Sequence, residues 1–155
     1  RIKINMLTKE MEKLIKENTI GLVATVTHDG YPAVSPKATT IVLDSTHIAF
    51  IDLRSPKTKR NIKANPFVEL NYIDVFRRQA CRIKGKAAYI ERDDKKFDGI
   101  SKNFTAWGSL FEKAKGVFVV EILNAQKILS PAYDEGADEE LLKAEWLAKY
   151  NTQLS

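Results

Sequence analysis

Asp29-Gly30 stands between two runs suited to strands, Ile20-Gly-Leu-Val-Ala-Thr-Val-Thr27 and a return through Ala33-Val-Ser35. Glycine accepts the positive φ of a tight hairpin turn, so this dipeptide commits the chain to antiparallel pairing within its first thirty residues. The return continues through Thr39 to Leu43, with Pro36 expected to break the ladder because it has no N–H to donate. His47 to Asp52, Phe67 to Ile73, Gln79 to Glu91 and Gly116 to Leu123 follow, the last running unevenly to Leu129. Gly85 marks a bulge or bend inside the fifth of these six strands.

Helices fall at the margins of this pattern. Thr8 caps one that runs to Asn18, with Leu7, Met11, Leu14 and Ile15 on its apolar face. Pro56 to Ala64 forms a short basic one, stopped by Asn65-Pro66 because a residue before proline is pushed out of the α region. Asp93 to about Lys113 reads as helical with a break near Ala106-Trp-Gly108. Residues 137–150 make a last helix, whose Leu141, Leu142, Trp146 and Leu147 face inward or towards a partner. Six short strands joined mainly by hairpins predict a mainly β domain closed as an antiparallel barrel. A parallel dinucleotide-binding sheet is disfavoured, since no Gly-x-Gly-x-x-Gly follows a strand.

The chain of 155 residues suits one domain, and it contains no apolar run long enough to span a membrane. Residues 1–5 read as a tag or a disordered lead, too short and too mixed for a secretory signal. Cys81 is the single cysteine, which leaves no intramolecular disulfide or cysteine zinc cluster and points to a reducing cytoplasm. His28 and His47 lie far apart, against a histidine metal site or a Ser/His/Asp triad. No catalytic residue and no metal ligand is assigned. A net charge of +5 suits an anionic ligand or a nucleic acid and demands neither.

Arg54-Ser-Pro-Lys-Thr-Lys-Arg-Asn-Ile-Lys-Ala-Asn-Pro66 places that charge directly after the third strand. A helix start offers unpaired N–H groups and the positive end of the dipole, and Lys57, Thr58, Lys59 and Arg60 add donors at the same place. Two readings are open for it, a phosphate cradle and a solvated basic helix.

The order of these features resembles the pyridoxamine 5′-phosphate oxidase-like family of FMN-binding split barrels. The residues that carry the resemblance are Gly21-Leu-Val-Ala-Thr25, Asp29-Gly-Tyr-Pro-Ala-Val-Ser-Pro36, Ile48-Ala-Phe-Ile51, Ser55-Pro-Lys-Thr-Lys-Arg-Asn-Ile62, Asn65-Pro66 and Arg82-Ile-Lys-Gly-Lys-Ala87. It covers about Leu7 to Leu129 and is nearest to the small stand-alone FMN-binding proteins of anaerobic prokaryotes. The resemblance implies a six-stranded split barrel of Greek-key type, dimeric, with FMN at the subunit interface. It implies that Ser35, Pro36, Lys37, Ala38 and Thr39 run along the flavin ring and that Ile51, Asp52 and Leu53 border the ribityl chain. Lys57 and Thr58 would hold the phosphate, with Lys59 in reserve and Lys63 facing solvent. Gln79 and Arg82 would face the flavin of the neighbouring subunit. Lys37 is either a charge at the ring's pyrimidine end or a surface lysine.

The function implied is a flavin oxidoreductase or electron carrier, with a small molecule or redox protein as electron partner. The C-terminal helix carries no arginine and no histidine, which departs from the segment that holds substrate phosphate in the true pyridoxamine phosphate oxidases. Phe104, Trp107 and Phe111 cover a flavin face, seal a dimer interface or pack in a core. Two other functions fit the residues: a flavin store or sensor without turnover, and a basic barrel binding nucleic acid through Lys57 to Lys63 with Tyr72 and Phe76 as stacking groups.

Overall fold

Seven antiparallel strands form one sheet in the computed structural model, which describes residues 5–155. The reading of a tag or disordered lead therefore lies, apart from Asn5, outside the described residues. The elements are α1 (Lys9–Glu17), β1 (Gly21–Val26), β2 (Pro32–Lys37), β3 (Ile41–Asp44), β4 (His47–Asp52), α2 (Pro56–Ala64), β5 (Phe67–Asp74) and β6 (Gln79–Glu91). Then come α3 (Lys95–Ser101), α4 (Ser109–Glu112), β7 (Gly116–Leu129) and α5 (Glu139–Leu154). Spatial order is β2-β1-β5-β6-β7-β4-β3, in which β4 returns beside β7 in Greek-key fashion.

The expected six strands become seven because the return after the hairpin is two strands. Pro36 does not break the ladder. It pairs opposite Leu22 within β2, an edge strand, where a missing donor is tolerated. The chain leaves the sheet two residues later, at Ala38, and β3 joins the opposite edge. A flat sheet of this width would hold its edges roughly 29 Å apart, whereas the step from Lys37 to Ile41 reaches about 14 Å at most. The sheet must therefore curl until its edges approach. It is a split barrel, and the closed barrel expected from the strand count is not formed.

Inside the curl lie Val23, Ile48, Phe50, Leu70, Tyr72, Cys81, Ile83, Phe118 and Val120, with Met11 and Ile15 of α1 and Ile62 of α2 as plugs. Thr8 caps α1 as expected, its hydroxyl accepting from Met11 N at 3.2 Å. A second apolar layer covers the outer face of β4, which is why that strand is buried on both sides. There Phe104 stacks on Phe111 and Phe111 on Phe97, so Phe104 is a core residue. The break expected before Gly108 is present, at a φ of 49°.

At Gly85 the β6–β7 register steps by one residue and leaves Leu123 unpaired. A Cβ on Gly85 would collide with Val120 Cγ1 and lie 2.8 Å from the Glu121 carbonyl oxygen, which as backbone cannot swing aside. Gly85→Ala is expected to cost about 2 kcal/mol, read as a lower urea midpoint with an unchanged m-value.

The last helix begins at Glu139, because the Asp138 carboxylate takes the cap by accepting from Leu141 N, and it runs past Tyr150 to Leu154. It docks on the β5–β6 turn through Phe76 against Tyr150, Arg78 over Trp146 and Arg77 beside Glu139. Leu142 and Trp146 are half-buried, while Leu141 and Leu147 stay exposed.

Candidate functional site

The link between β2 and β3 crosses the end of β4 at the mouth of the split. Thr39 fixes it there, its buried hydroxyl accepting from Ile51 N at 2.9 Å. One residue on, Asp52 is buried and both its carboxylate oxygens are in use. One accepts from Ser55 N at 2.8 Å, the other from the Tyr89 hydroxyl at 2.6 Å. Those bonds hold the turn from β4 into α2 against β6. Burial first, then the bond to Asp52, pushes the Tyr89 phenol well above its usual range, so it remains a donor.

Ser55 is the N-cap of α2, yet its side chain caps no amide. It accepts instead from Lys37 Nζ at 2.7 Å. Pro56 at the first helical position has no N–H to satisfy. The amides of Lys57 and Thr58 are thus left without a side-chain cap at the positive end of the helix, with a cation beside them. Lys37 is half-buried, and desolvation lowers its pKa, an effect that Asp52 nearby opposes. Lys57 is exposed and forms no ion pair among the described residues. Thr58 and Asn61 face inward, and Asn61 Nδ2 donates to Thr25 Oγ1 at 3.0 Å, which locks α2 onto β1.

Lys59 points elsewhere. Its ammonium lies 3.1 Å from Glu91 and 4.3 Å above the Tyr89 ring. Lys63, expected to face only solvent, pairs with the same carboxylate at 3.0 Å. These two lysines, first by hydrogen bonding, hold Glu91 below the usual carboxylate range.

Lys37, Thr39, Ile51, Asp52 and the start of α2 are therefore brought to one place. Gln79 and Arg82 are not. Gln79 donates to Tyr133 and Glu139, and Arg82 pairs with Glu69 at 3.2 Å on the outer face of the sheet. A cleft of about 1130 Å³ has Arg82 in its wall but none of the residues at the mouth. A hollow of about 240 Å³ between α1 and the β5–β6 turn takes in Gln79 and likewise misses the mouth. Neither hollow reaches Lys37, Ser55 or Lys57 at the mouth.

Sequence reasoning passed over Ser55, Tyr89 and Glu91. Ser55 had a readable signal, a cap residue directly before a helix-opening proline. Tyr89 and Glu91 had none beyond strand alternation, because their partners lie more than twenty-five residues away. Tyr72 is fully buried with its hydroxyl against Thr40, which removes it as a stacking platform for nucleic acid. Burial pushes the Cys81 thiol up to about 12, so it supplies no thiolate at neutral pH. Among the described residues no helix is long and apolar enough to cross a membrane, and no group of three His, Cys, Asp or Glu side chains could hold a metal ion.

A family model described as pyridoxamine 5′-phosphate oxidase matches residues 7–130. No curated protein matches the chain. Among solved structures, HupZ of Group A Streptococcus superposes with a TM-score of 0.70 at 24% identity, over 81% of this chain and 96% of its own. A provisional pyridoxamine 5′-phosphate oxidase from Lactobacillus delbrueckii gives 0.67 at 29% identity, over 81% and 99%. An FMN-binding protein from Syntrophomonas wolfei gives 0.64 at 15% identity, over 79% and 86%, a likeness of fold alone.

Proposed function

The chain belongs to the pyridoxamine 5′-phosphate oxidase family, and from that premise we propose that it is an FMN-binding flavoprotein, acting as a homodimeric oxidoreductase or electron carrier. The observation that carries the reading is the start of α2. A serine cap turned away from its helix, two uncapped amides and the Lys37 ammonium make a place for a dianionic phosphate. Lys57 and Thr58 stand beside it, so Lys37 serves the phosphate in this reading and not the pyrimidine end of the ring. Ser35, Pro36, Ala38 and Thr39 then offer a small-residue wall to the ring, and Ile51 to Leu53 border the chain between ring and phosphate.

FMN, when bound, supplies the hydride or electron transfer. The residues at the mouth bind and orient it. Asp52 keeps the phosphate loop in place through Ser55 N and Tyr89, with neither oxygen free for proton transfer.

Two features support a second copy completing the site. Gln79 and Arg82 lie too far round the sheet to serve the mouth of their own chain. The outer face of β1, β2 and β5 also leaves Leu22 and Val34 exposed, beside an Asn71 Oδ1 that is buried without a partner.

The purified protein is expected to be yellow, with FMN as the extracted pigment or taken up on addition. A colourless protein that binds no added FMN overturns the reading. Reduction by NAD(P)H with an acceptor screen separates an enzyme from a flavin store.

A further inference from the structure

Glu91 closes β6 opposite α2 and is the one acidic side chain paired with that basic helix among the described residues. It touches Lys59 and Lys63 at once, and both ammoniums also lie over the Tyr89 ring, at 4.3 and 5.6 Å. A single exposed ion pair is worth little. Lys59, however, is held by a carboxylate and a π face together, and Lys63 keeps that carboxylate in position from the far turn. Lys59 sits in the first half of α2, and a helical side chain leans towards the N-terminus of its helix. An anion at the start of α2 is therefore within its natural direction, and Glu91 draws it the other way.

We propose that Glu91 is a built-in rival for the cofactor phosphate: it withholds Lys59 from the anion site, leaves the phosphate to Lys37, Ser55 and Lys57, and so sets how tightly phosphate is held. This rests on the flavin reading above. A site with three free cations would grip any phosphate. With Glu91 in place the grip is moderated, and part of the affinity must come from the ring, so FMN is favoured over small anions. The same carboxylate adds a negative charge that an incoming anion must approach.

A purely structural Glu91, tying α2 to β6, gives the opposite sign. The test is FMN and riboflavin affinity, by quenching of flavin fluorescence, for the wild-type chain, Glu91→Gln, and Glu91→Gln combined with Lys59→Ala. Glu91→Gln is expected to tighten FMN about fivefold and leave riboflavin, which lacks the phosphate, within twofold. Adding Lys59→Ala is expected to cancel the gain. Unchanged or weaker FMN binding in Glu91→Gln overturns the proposal, as does an equal gain for riboflavin or a gain that survives Lys59→Ala. If the wild-type chain binds neither flavin, the flavin reading fails by itself. Inorganic phosphate titrated against the Lys57 and Thr58 amide NMR signals then decides the rival: saturation at lower phosphate in Glu91→Gln supports it, and equal saturation or no binding overturns it.

Discussion

Replacing Lys37 by methionine is expected to weaken FMN binding about a hundredfold while leaving the melting temperature of the ligand-free protein unchanged or higher. The two halves of that result have one cause. Lys37 is half-buried beside Ser55, and burial disfavours its charged form. In the ligand-free chain the charge is a cost, since the folded pKa lies below that of an unfolded lysine. The cost is fully present below the folded pKa and is relieved as pH rises from there towards about 10.4. Methionine fills the same space without it. A bound phosphate reverses the sign, because a poorly hydrated cation next to uncapped amides is where a dianion gains most. FMN affinity should accordingly fall as pH climbs through the lowered pKa of Lys37, ahead of an ordinary lysine, and Lys37→Met should flatten that fall. Flavin fluorescence titrations across the alkaline range measure both. An affinity within twofold of wild type would place the phosphate elsewhere.

Phe118→Ala is expected to destabilise the chain by about 4 kcal/mol. The ring is fully buried, stacked on Phe50 at 4.8 Å and meeting Tyr89 edge-on at 4.9 Å. Truncation leaves a cavity in the middle of the barrel that neighbours on several strands cannot close together. Urea unfolding should show it as a large drop in midpoint. Because Tyr89 rests on Phe118 and holds Asp52, the same substitution should also weaken FMN binding under conditions where the variant is still folded. Ile15→Ala, in α1 and away from Tyr89, should lose stability without that second effect.

How much of this was legible beforehand depended on range. The Asp29-Gly30 hairpin, the Thr8 cap, the limits of α2 and the irregularity at Gly85 rest on neighbours in sequence, and all appear as expected. The strand count failed where local reasoning gave the wrong weight to Pro36. Whether a proline breaks a ladder depends on which edge of its strand is paired, and that is settled by strands far along the chain. The site followed the same rule. The loop proposed for the phosphate could be read from a cation-rich helix start. The brace behind it, Tyr89 onto Asp52, joins residues that only the folded sheet brings within 3 Å. Lys57 and Lys59 look alike in sequence. Glu91, contributed by another element, is what tells them apart.

The short link from Lys37 to Ile41 has a last consequence. It ties together two strands that reach each other along the sheet only through five others. A molecule lodged at that mouth would touch both edges at once and act as a staple across the seam. By linkage its binding energy is then shared by the whole barrel: at a hundredfold excess over its dissociation constant, about 2.7 kcal/mol of added resistance to unfolding. Cofactor supply would in that way become a control on how long the protein lasts, apart from anything the cofactor does as a reagent.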